Sequence, residues 1–319
     1  MNGAPSLAAA AIPDGLLIVD KPARLGSFDV IRRLRPLLGR RRKAGFIGTL
    51  DPFATGALPL CVGEATKLAD ALGDGEKEYV AELALGDATD TGDVTGRVTA
   101  TAPVPALDDG ALARAREAFL GELTQVPPMY SAVHVGGERL YEKARRGEVV
   151  ERAPRTIRVH ALALTVLAPD RLRIHVSCSK GTYVRVLGED LARHLGTVGH
   201  LAALRRIRSG TFTVDRAATL DSLLGPRSAE AVALAAIPLD SLTIPGWRAL
   251  ALTEGGARDV VNGRGIDASG LEGDPSVPSP GERLLLRRSG HLLALGVGTG
   301  EAPVLARPTR LLLRDDLDT

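Results

Sequence analysis

Two segments of this chain alternate apolar and polar residues, and this alternation restricts the fold more than any other feature. In residues 79–85 and 171–178, every second side chain is apolar. Successive side chains of a strand point to opposite sides of a sheet, so a period of two is typical of a half-buried strand. Each segment therefore predicts a strand with one face in the core.

Helical spacing occurs between the strands, but in an irregular order. We expect Ser27 to cap the first helix, Pro36 and Gly39 to end it, and Gly73 to follow a second, short helix. Because no regular βαβ repeat is present, the pattern predicts an α+β fold with a mixed, mainly antiparallel sheet flanked by helices. The expected strands cover 16–19, 57–62, 79–85, 156–167 and 171–178, and the expected helices cover 27–35, 66–72, 109–120, 138–146 and 182–195.

The chain of 319 residues is long enough for two domains. We expect a disordered tail over 1–14 and a larger α+β domain over 15–243. From residue 244, Gly and Pro become frequent and short strands alternate with turns. This texture predicts a small β-rich domain over 244–319, with strands at 283–286, 292–297 and 310–313.

Charge is unevenly distributed along the sequence. Residues 1–50 carry nine Lys/Arg and three Asp/Glu, residues 51–110 carry three and twelve, and residues 111–215 carry seventeen and ten. Such segregation can present a basic face to a polyanion. The basic run Arg40 to Lys43 is either a solvated loop or a phosphate contact, and its position directly before the turn described next favours the phosphate contact.

The sequence gives little support for a transmembrane helix or for a disulfide bond. No apolar run reaches the roughly 18 residues of a transmembrane helix. The cysteines, Cys61 and Cys178, each lie in an apolar run, which favours buried thiols in a reducing compartment. We therefore expect a cytoplasmic protein without a membrane partner.

A lone acid occupies the glycine-flanked stretch GFIGTLDPFATG, which runs from residue 45 to residue 56. Gly48 and Gly56 allow close backbone approach around Asp51, and Pro52 restrains the turn. The sequence contains no P-loop, CxxC or HExxH motif and no nucleophile elbow, so phosphate-loop, metal and serine-hydrolase chemistry lose their usual signals. A carboxylate held in such a turn is a candidate nucleophile.

A carboxylate nucleophile needs a cation beside it, and the stretch KGTYVR offers one. It joins a predicted strand to a predicted helix, so Arg185 can add a fork of donors near a helix N-terminus. Tyr183 can cover a flat ligand. The plain alternative is a surface arginine and a core tyrosine.

A glycosidase with paired carboxylates is a further alternative. The nearest acidic cluster is Asp87, Asp90 and Asp93, which we expect to form a solvated loop after the strand over 79–85. Binding of tRNA or of a sugar polymer by the purified protein would distinguish the two classes.

Six blocks of this sequence resemble the bacterial tRNA pseudouridine-55 synthases, the TruB family, in order and approximate spacing. The resemblance covers Leu16 to Phe212 and is looser beyond. The blocks are LLIVDKP, GFIGTLDPFATGALPLCVGEATK, EKEYVAELALGDATDTGDVTG, QVPPMYSAVHVGGERLYEKARRG, CSKGTYVRVLGEDLARHLG and LRRIRSGTF. The resemblance implies a pseudouridine synthase fold with a C-terminal domain similar to PUA-type RNA-binding barrels.

The resemblance also implies roles for individual residues. Asp51 matches the essential aspartate of the family, and Arg185 matches the arginine that pairs with it. Tyr79 matches the tyrosine that stacks on the target base. Tyr183 and Leu204 match residues that line the uridine pocket.

Other implied positions include departures from the family pattern. Lys21 of DKP matches a lysine that braces the site, and Phe46 stands where the family has a histidine that fills space or contacts the opened RNA loop. Phe46 keeps the ability to stack or wedge. In the KPxGxSS block, Arg24 replaces a glycine and Gly26 replaces a serine, and His134 stands where a lysine is usual.

The implied reaction needs no redox step or group donor, so no cofactor or metal is expected. The target base leaves its stack, and Asp51 then attacks C1′, removes a proton from C2′ or adds to C6; the sequence leaves these open. The implied partner is the T-arm of tRNA, with the protein acting as a monomer and no protein partner. A non-enzymatic RNA-folding module on the same scaffold would be signalled by loss of Asp51, which is present.

Overall fold

The computed structural model describes residues 12–39, 41–131, 134–135, 137–140, 143, 146–148, 150–273 and 276–312. Expectations for the tail over 1–11, for Arg40, for much of the helix over 138–146 and for Leu313 lie outside these residues. Within them, the strands are β1 (Gly15–Lys21), β2 (Ala44–Phe46), β3 (Thr55–Val62), β4 (Lys77–Leu85), β5 (Asp87–Thr89), β6 (Val98–Thr101), β7 (Gly121–Gln125), β8 (His134–Val135), β9 (Glu138–Arg139), β10 (Arg155–Ala168), β11 (Arg171–Cys178), β12 (Gly199–Ser209), β13 (Phe212–Thr213), β14 (Ala218–Thr219), β15 (Ala236–Pro238), β16 (Arg248–Ala251), β17 (Arg283–Arg288), β18 (His291–Gly298) and β19 (Ala306–Leu311).

Helices are interspersed with these strands. They are α1 (Ser27–Leu38), α2 (Ala69–Gly73), α3 (Asp109–Ala118), α4 (Val184–His194), α5 (Leu220–Leu224), α6 (Ser228–Ala235) and α7 (Glu254–Val261). The irregular order of strands and helices confirms the α+β class.

A large mixed sheet forms the centre of the described structure. Its main path runs β14-β1-β3-β12-β4-β11-β10-β7, with β2, β13 and β15 attached at its sides. Pairing is antiparallel except for β1 with β14 and β3 with β12. This topology confirms the expected mixed, mainly antiparallel sheet.

The alternating strands behave as predicted. In β4, the residues Tyr79, Ala81, Leu83 and Leu85 are buried, and β11 buries its own alternate residues in the same core. Apolar side chains of α1 and α4 belong to the same hydrophobic core. The register pairs Tyr79 with Val176 on β11 and with Arg206 on β12, which places β4 between the segments that carry the candidate site residues.

Some predicted element ends are wrong. Ser27 is not the cap of α1, because Gly26 occupies that position and the Asp29 carboxylate accepts a hydrogen bond from its backbone N–H. The helix continues through Pro36 to Leu38, since burial of Leu38 in the core outweighs the proline.

Two further expectations are corrected by the backbone. Gly73 is the last residue of α2 rather than the residue after a helix. Residues 138–139 form β9, which pairs with β8, where a helix start was expected.

A four-stranded sheet, β16-β17-β18-β19, follows the large sheet in the chain. It confirms the expected β-rich texture after residue 244, while β16 and α7 were not predicted. The two sheets share a hydrophobic cluster, in which Leu16 and Ile18 of β1 belong with Leu285, Leu292 and Leu295 of β17 and β18. A division between residues 243 and 244 therefore stays a prediction, and the two parts bury apolar surface together.

Candidate active site

Asp51 lies in a tight turn between β2 and β3. Gly48 has φ of +66°, and a Cβ there would lie 3.2 Å from Cε of Lys77 and 3.3 Å from Nη1 of Arg206. Gly56 has φ of +107°, and a Cβ there would lie 2.1 Å from the carbonyl oxygen of Arg206. Both glycines are therefore required by backbone conformation and close approach, as the sequence predicted.

Arg206 binds the backbone of this turn through its side chain. Its guanidinium is fully buried and donates to the carbonyl oxygens of Gly48 at 3.0 Å, Thr49 at 3.3 Å and Ala57 at 2.8 Å. Three backbone acceptors are thus satisfied by one rigid fork, which fixes the turn against β12.

Lys21 reaches the same turn from the end of β1. Its buried ammonium donates to the carbonyl oxygens of Leu25 at 2.6 Å, Pro22 at 3.0 Å and Pro52 at 3.4 Å. Burial lowers the pKa of Lys21 to about 8, and the Asp51 carboxylate opposes that shift. Lys21 thus joins the segment after β1 to the residue that follows Asp51.

Arg185 is a buried arginine that forms an ion pair with Asp51, whose side chain is 33% exposed. Its Nε donates to Oδ2 of Asp51 at 2.8 Å, and its two Nη atoms donate to the carbonyl oxygens of Thr91 at 2.6 Å and Tyr130 at 2.7 Å. The arginine side chain is only 4% exposed, although it lies in the first turn of α4. The alternative of a surface arginine is therefore wrong.

Asp93 is a second acid beside this arginine, and its expected place in a solvated loop is wrong. The side chain is buried, and Oδ2 lies 3.8 Å from Nε of Arg185. Its Oδ1 accepts hydrogen bonds from the hydroxyl of Thr91 at 3.0 Å and from the backbone N–H of Thr95 at 2.9 Å. These local donors satisfy the carboxylate, so it remains in the interior next to a cation.

The surroundings adjust the basicity of Asp51. Burial raises the pKa of Asp51 above the usual range of an aspartate, the Arg185 guanidinium acts in the opposite direction, and the Asp93 carboxylate adds to the increase. A carboxylate with a raised pKa is a stronger base than one in water, and the arginine keeps it oriented.

Three of the five predicted substrate residues meet at one cavity of about 200 Å³. Tyr79, Tyr183 and Leu204 line it together with Asp51 and Arg185. Tyr79 and Leu204 are buried, whereas Tyr183 is half-buried at the N-terminal end of α4. The cavity thus presents two aromatic rings and an apolar side chain around a carboxylate, a setting that suits a flat heterocycle.

A larger cleft of about 650 Å³ opens beside this cavity and shares Asp51 and Arg185 with it. Phe46 lines the cleft and makes an edge-to-face contact with Phe28, with ring centroids 5.1 Å apart. Arg24 lines the same cleft. Asp51 therefore lies where a small apolar cavity and an open cleft meet.

Arg24 keeps the backbone conformation that a glycine would favour at its position. Its φ is +66°, in the left-handed region, and its N–H donates to the carbonyl oxygen of Pro52 at 2.7 Å. The substitution thus leaves the turn in place at a conformational cost of about 1 kcal/mol. His134 pairs through its backbone with Arg139.

Sequence reasoning missed Arg206, Lys77 and Asp93. Arg206 follows Leu204 at the strand period of two in the block LRRIR, so its inward position had a signal. Lys77 precedes Tyr79 by the same period and lines the small cavity. Asp93 had only its flanking threonines, Thr91 and Thr95, as a sign of internal hydrogen bonding.

Two absences apply to the described residues alone. Within them, no helix combines the length and apolarity needed to cross a membrane. Nor do those residues bring together three or more His, Cys, Asp or Glu side chains in a way that would hold a metal ion.

Solved structures share this fold. A chain of the "Crystal Structure of a Cbf5-Nop10-Gar1 Complex" superposes with a TM-score of 0.69 at 22% identity, covering 96% of this chain and 87% of that chain. A chain of the "Structure of H/ACA RNP bound to a substrate RNA containing 2'-deoxyuridine" gives 0.68 at 20% identity, covering 96% and 87%. At these identities the likeness establishes the fold.

Sequence comparison defines the class more narrowly. Residues 35–184 match "TruB family pseudouridylate synthase (N terminal domain)", and residues 185–243 match "tRNA pseudouridylate synthase B C-terminal domain". The two matched segments together cover more than half of this chain and place it among TruB-family sequences. Residues 244–319 lie beyond both matched segments.

Curated relatives agree with this class. "tRNA pseudouridine synthase B" of Aromatoleum aromaticum is 51% identical over 231 residues, 72% of this chain and 74% of that protein. The Burkholderia lata protein of the same name is 43% identical over 302 residues, 94% and 90%. The match to the Psychrobacter cryohalolentis protein, 47% identical, spans 66% of this chain and 59% of that relative. This chain belongs to the TruB family of pseudouridylate synthases.

Proposed function

We propose that this protein is a tRNA pseudouridine synthase, an isomerase that converts uridine 55 in the T-loop of tRNA to pseudouridine, with Asp51 as its catalytic group. The observation that carries the proposal is the Asp51–Arg185 ion pair at a cavity lined by Tyr79 and Tyr183, in a chain that belongs to the TruB family. The relatives' printed name supplies tRNA as the substrate.

The proposed reaction conserves all atoms of the uridine. The bond between C1′ and N1 breaks, the uracil turns within the cavity, C1′ bonds to C5, and the proton leaves C5 for N1 through the site or solvent. Asp51 acts as nucleophile at C1′, as base at C2′ or as nucleophile at C6. Arg185 orients the Asp51 carboxylate for each of these steps, Tyr79 stacks on the uracil, and Tyr183 lines the cavity.

Binding of the T-arm is assigned to basic side chains outside the cavity. Arg41 and Lys43, which precede β2 in the chain, are exposed, whereas Arg42 pairs with Asp14 and is held in the fold. In the C-terminal sheet Arg310 is exposed. Exposed cations of this kind neutralise phosphates, so affinity for tRNA should fall steeply with salt.

The remaining expectations belong to the same proposal. The sheet after residue 244 acts as a PUA-like RNA-binding domain, and the protein works in the cytoplasm as a monomer. Arg287 of the C-terminal sheet donates to the carbonyl oxygen of Leu242 at 2.6 Å. This arginine is therefore assigned to the connection between the two sheets.

Incubation with unmodified tRNA transcript followed by mapping of pseudouridine tests the proposal. Wild-type protein is expected to modify position 55 and to leave a transcript with cytidine 55 unchanged. Asp51→Asn keeps the shape of the side chain without its charge, so turnover should fall by about 10⁴-fold or more, while tRNA affinity is retained. Modification elsewhere would overturn the assigned position, and normal turnover by Asp51→Asn would overturn the assigned residue.

A further inference from the structure

Phe28 is a large apolar side chain at the mouth of the cleft that leads to Asp51. It is 58% exposed and lines the cleft, as does Phe46. The two rings meet edge to face with an interplanar angle of 84°. Phe46 is half-buried and packs against the main hydrophobic core, so it supports Phe28 from the protein side.

The position of Phe28 is fixed relative to the catalytic turn. Its neighbour Ser27 is buried, and the Ser27 hydroxyl accepts a hydrogen bond from the backbone N–H of Leu50 at 2.9 Å. Leu50 directly precedes Asp51. Phe28 thus stands on a rigid helix start that is tied to the turn bearing the catalytic carboxylate.

The charge around Phe28 favours a nucleic acid over an apolar peptide. Arg24 is exposed and lines the same cleft. Arg32 is exposed one helical turn further along α1, where its guanidinium lies 2.5 Å from the carboxylate of Asp29, which also lines the cleft. An aromatic face among arginines is the combination by which proteins bind unstacked bases, because the ring stacks on a base and the cations contact its phosphates.

We propose that Phe28, supported by Phe46, stacks on a nucleobase of the RNA loop next to the uridine that enters the cavity. The inference rests on the proposed function, since extrusion of one base leaves its neighbours without a stacking partner. Phe28 is thereby assigned as a binding residue outside the chemistry, and its ring replaces part of the stacking that the loop loses.

Equilibrium binding of an unmodified T-arm stem-loop tests the inference, with Asp51→Asn as the parent to prevent turnover. Phe28→Ala is expected to weaken binding about tenfold, or about 1.4 kcal/mol, within the range for a base stacked on an aromatic side chain. Phe28→Tyr should bind within twofold of the parent. Phe28→Leu, which keeps apolar bulk without an aromatic face, should resemble Phe28→Ala.

Leu234 supplies a matched control, because it is 71% exposed on α6 and does not line the cleft. Leu234→Ala should leave affinity unchanged. In addition, the fluorescence of 2-aminopurine placed beside the target uridine should be quenched on binding to the parent and should not be quenched on binding to Phe28→Ala.

The outcomes separate this inference from the proposed function. Wild-type protein that forms no pseudouridine in tRNA would overturn the function, whatever the variants do. If wild-type protein does form it and Phe28→Ala binds the stem-loop as tightly as the parent with unchanged quenching, only the stacking role is overturned. Weak binding by Phe28→Leu with normal binding by Phe28→Tyr would support an aromatic contact over a merely apolar one.

Discussion

Two ion pairs flank one short segment of this protein, and they differ in burial. At its C-terminal end, Arg185 pairs with Asp51 on the floor of the cleft and is 4% exposed. At its N-terminal end, Lys180 pairs with Asp74 on the protein surface, where the two side chains are 62% and 43% exposed; this surface pair, with Arg283, is called the rim below. Arg283 of β17 reaches the same Asp74 at 3.4 Å. The main difference lies in the cation, because Arg185 is removed from water and Lys180 is not, while Asp51 remains 33% exposed towards the cleft.

The difference shows where charge matters in this fold. Coulomb interactions are several-fold stronger near a protein interior than in water, and a buried charge that loses its partner pays the cost of desolvation alone. An exposed pair is screened and contributes at most about 1 kcal/mol. Removal of side chains from the floor should therefore affect chemistry and stability, whereas removal from the rim should affect neither strongly.

The largest effect is expected for Arg185→Ala. It leaves the Asp51 carboxylate without its partner and frees the carbonyl oxygens of Thr91 and Tyr130. We expect kcat/KM on tRNA to fall by about 10³-fold. Arg185→Lys keeps the charge without the planar fork, so it should recover only part of the rate.

Lys180→Ala is the matched control for this experiment. For both variants, turnover is measured by release of tritium from C5 of labelled uridine or by mapping of pseudouridine. Lys180→Ala should keep kcat/KM within about twofold, because its ion pair is exposed. A normal rate for Arg185→Ala would contradict the pairing, and an equal loss for Lys180→Ala would remove the distinction between floor and rim.

The next effect concerns stability and Arg206. Arg206→Met keeps the length of the side chain but leaves the carbonyl oxygens of Gly48, Thr49 and Ala57 without their donor. An unsatisfied buried group costs about 1–3 kcal/mol, and the bond to Ala57 is fully buried while those to Gly48 and Thr49 are partly buried, so we expect about 2–4 kcal/mol less stability in denaturant unfolding. Arg283→Met at the rim should change stability by less than about 1 kcal/mol. Equal losses would contradict the role of Arg206.

The strands around the site were the most predictable part of the fold. Alternation in β4 and β11 predicted which side chains are buried, because a strand with one face in the core has an apolar residue at every second position. The Asp51 turn was also visible, since glycine is the residue that best suits the positive φ angles of Gly48 and Gly56. In both cases the local sequence was sufficient to predict the local structure.

Contacts across the fold were not predictable in the same way. Asp93 reaches Arg185 because the loop after β5 packs beside β12, where the N–H of Val94 donates to the carbonyl oxygen of Leu201. No spacing in the sequence reports that approach. Similarly, the shared cluster of Leu16 with Leu292 joins residues from opposite ends of the chain. Its presence makes deletion of the C-terminal sheet a test of folding as much as of RNA binding.

The pH dependence of turnover tests the electrostatic environment of Asp51. Asp51 must be ionised to act, and burial raises its pKa, so kcat/KM should fall with decreasing pH earlier than an ordinary aspartate would dictate. The Asp93 carboxylate contributes to that increase. Asp93→Asn should therefore move the acid limb to lower pH. Asp90→Asn is the control, because Asp90 is exposed and should leave the limb in place.

An acid limb that moves to higher pH in Asp93→Asn, or that moves equally in both variants, would contradict the electrostatic account. The readout is the position of the limb and not the maximal rate, since Asp93 also accepts hydrogen bonds from Thr91 and Thr95. A loss of rate without displacement of the limb would therefore assign Asp93 to loop structure.

The smallest effect is expected at the rim, for Asp74→Asn. The hydrogen bond from Lys180, and then that from Arg283, hold the pKa of Asp74 below its usual range. Such a group contributes stability above the pKa of the unfolded carboxyl and loses it as pH falls through the lower pKa of the folded state. The stability difference between wild type and Asp74→Asn should thus be below about 1 kcal/mol at pH 7, shrink towards zero in acid, and shrink again in 1 M salt. Turnover should stay within about twofold. A larger loss of turnover with little loss of stability would show instead that Asp74 couples the C-terminal sheet, through Arg283, to the segment that carries Arg185, and the rim would then belong to the catalytic machinery.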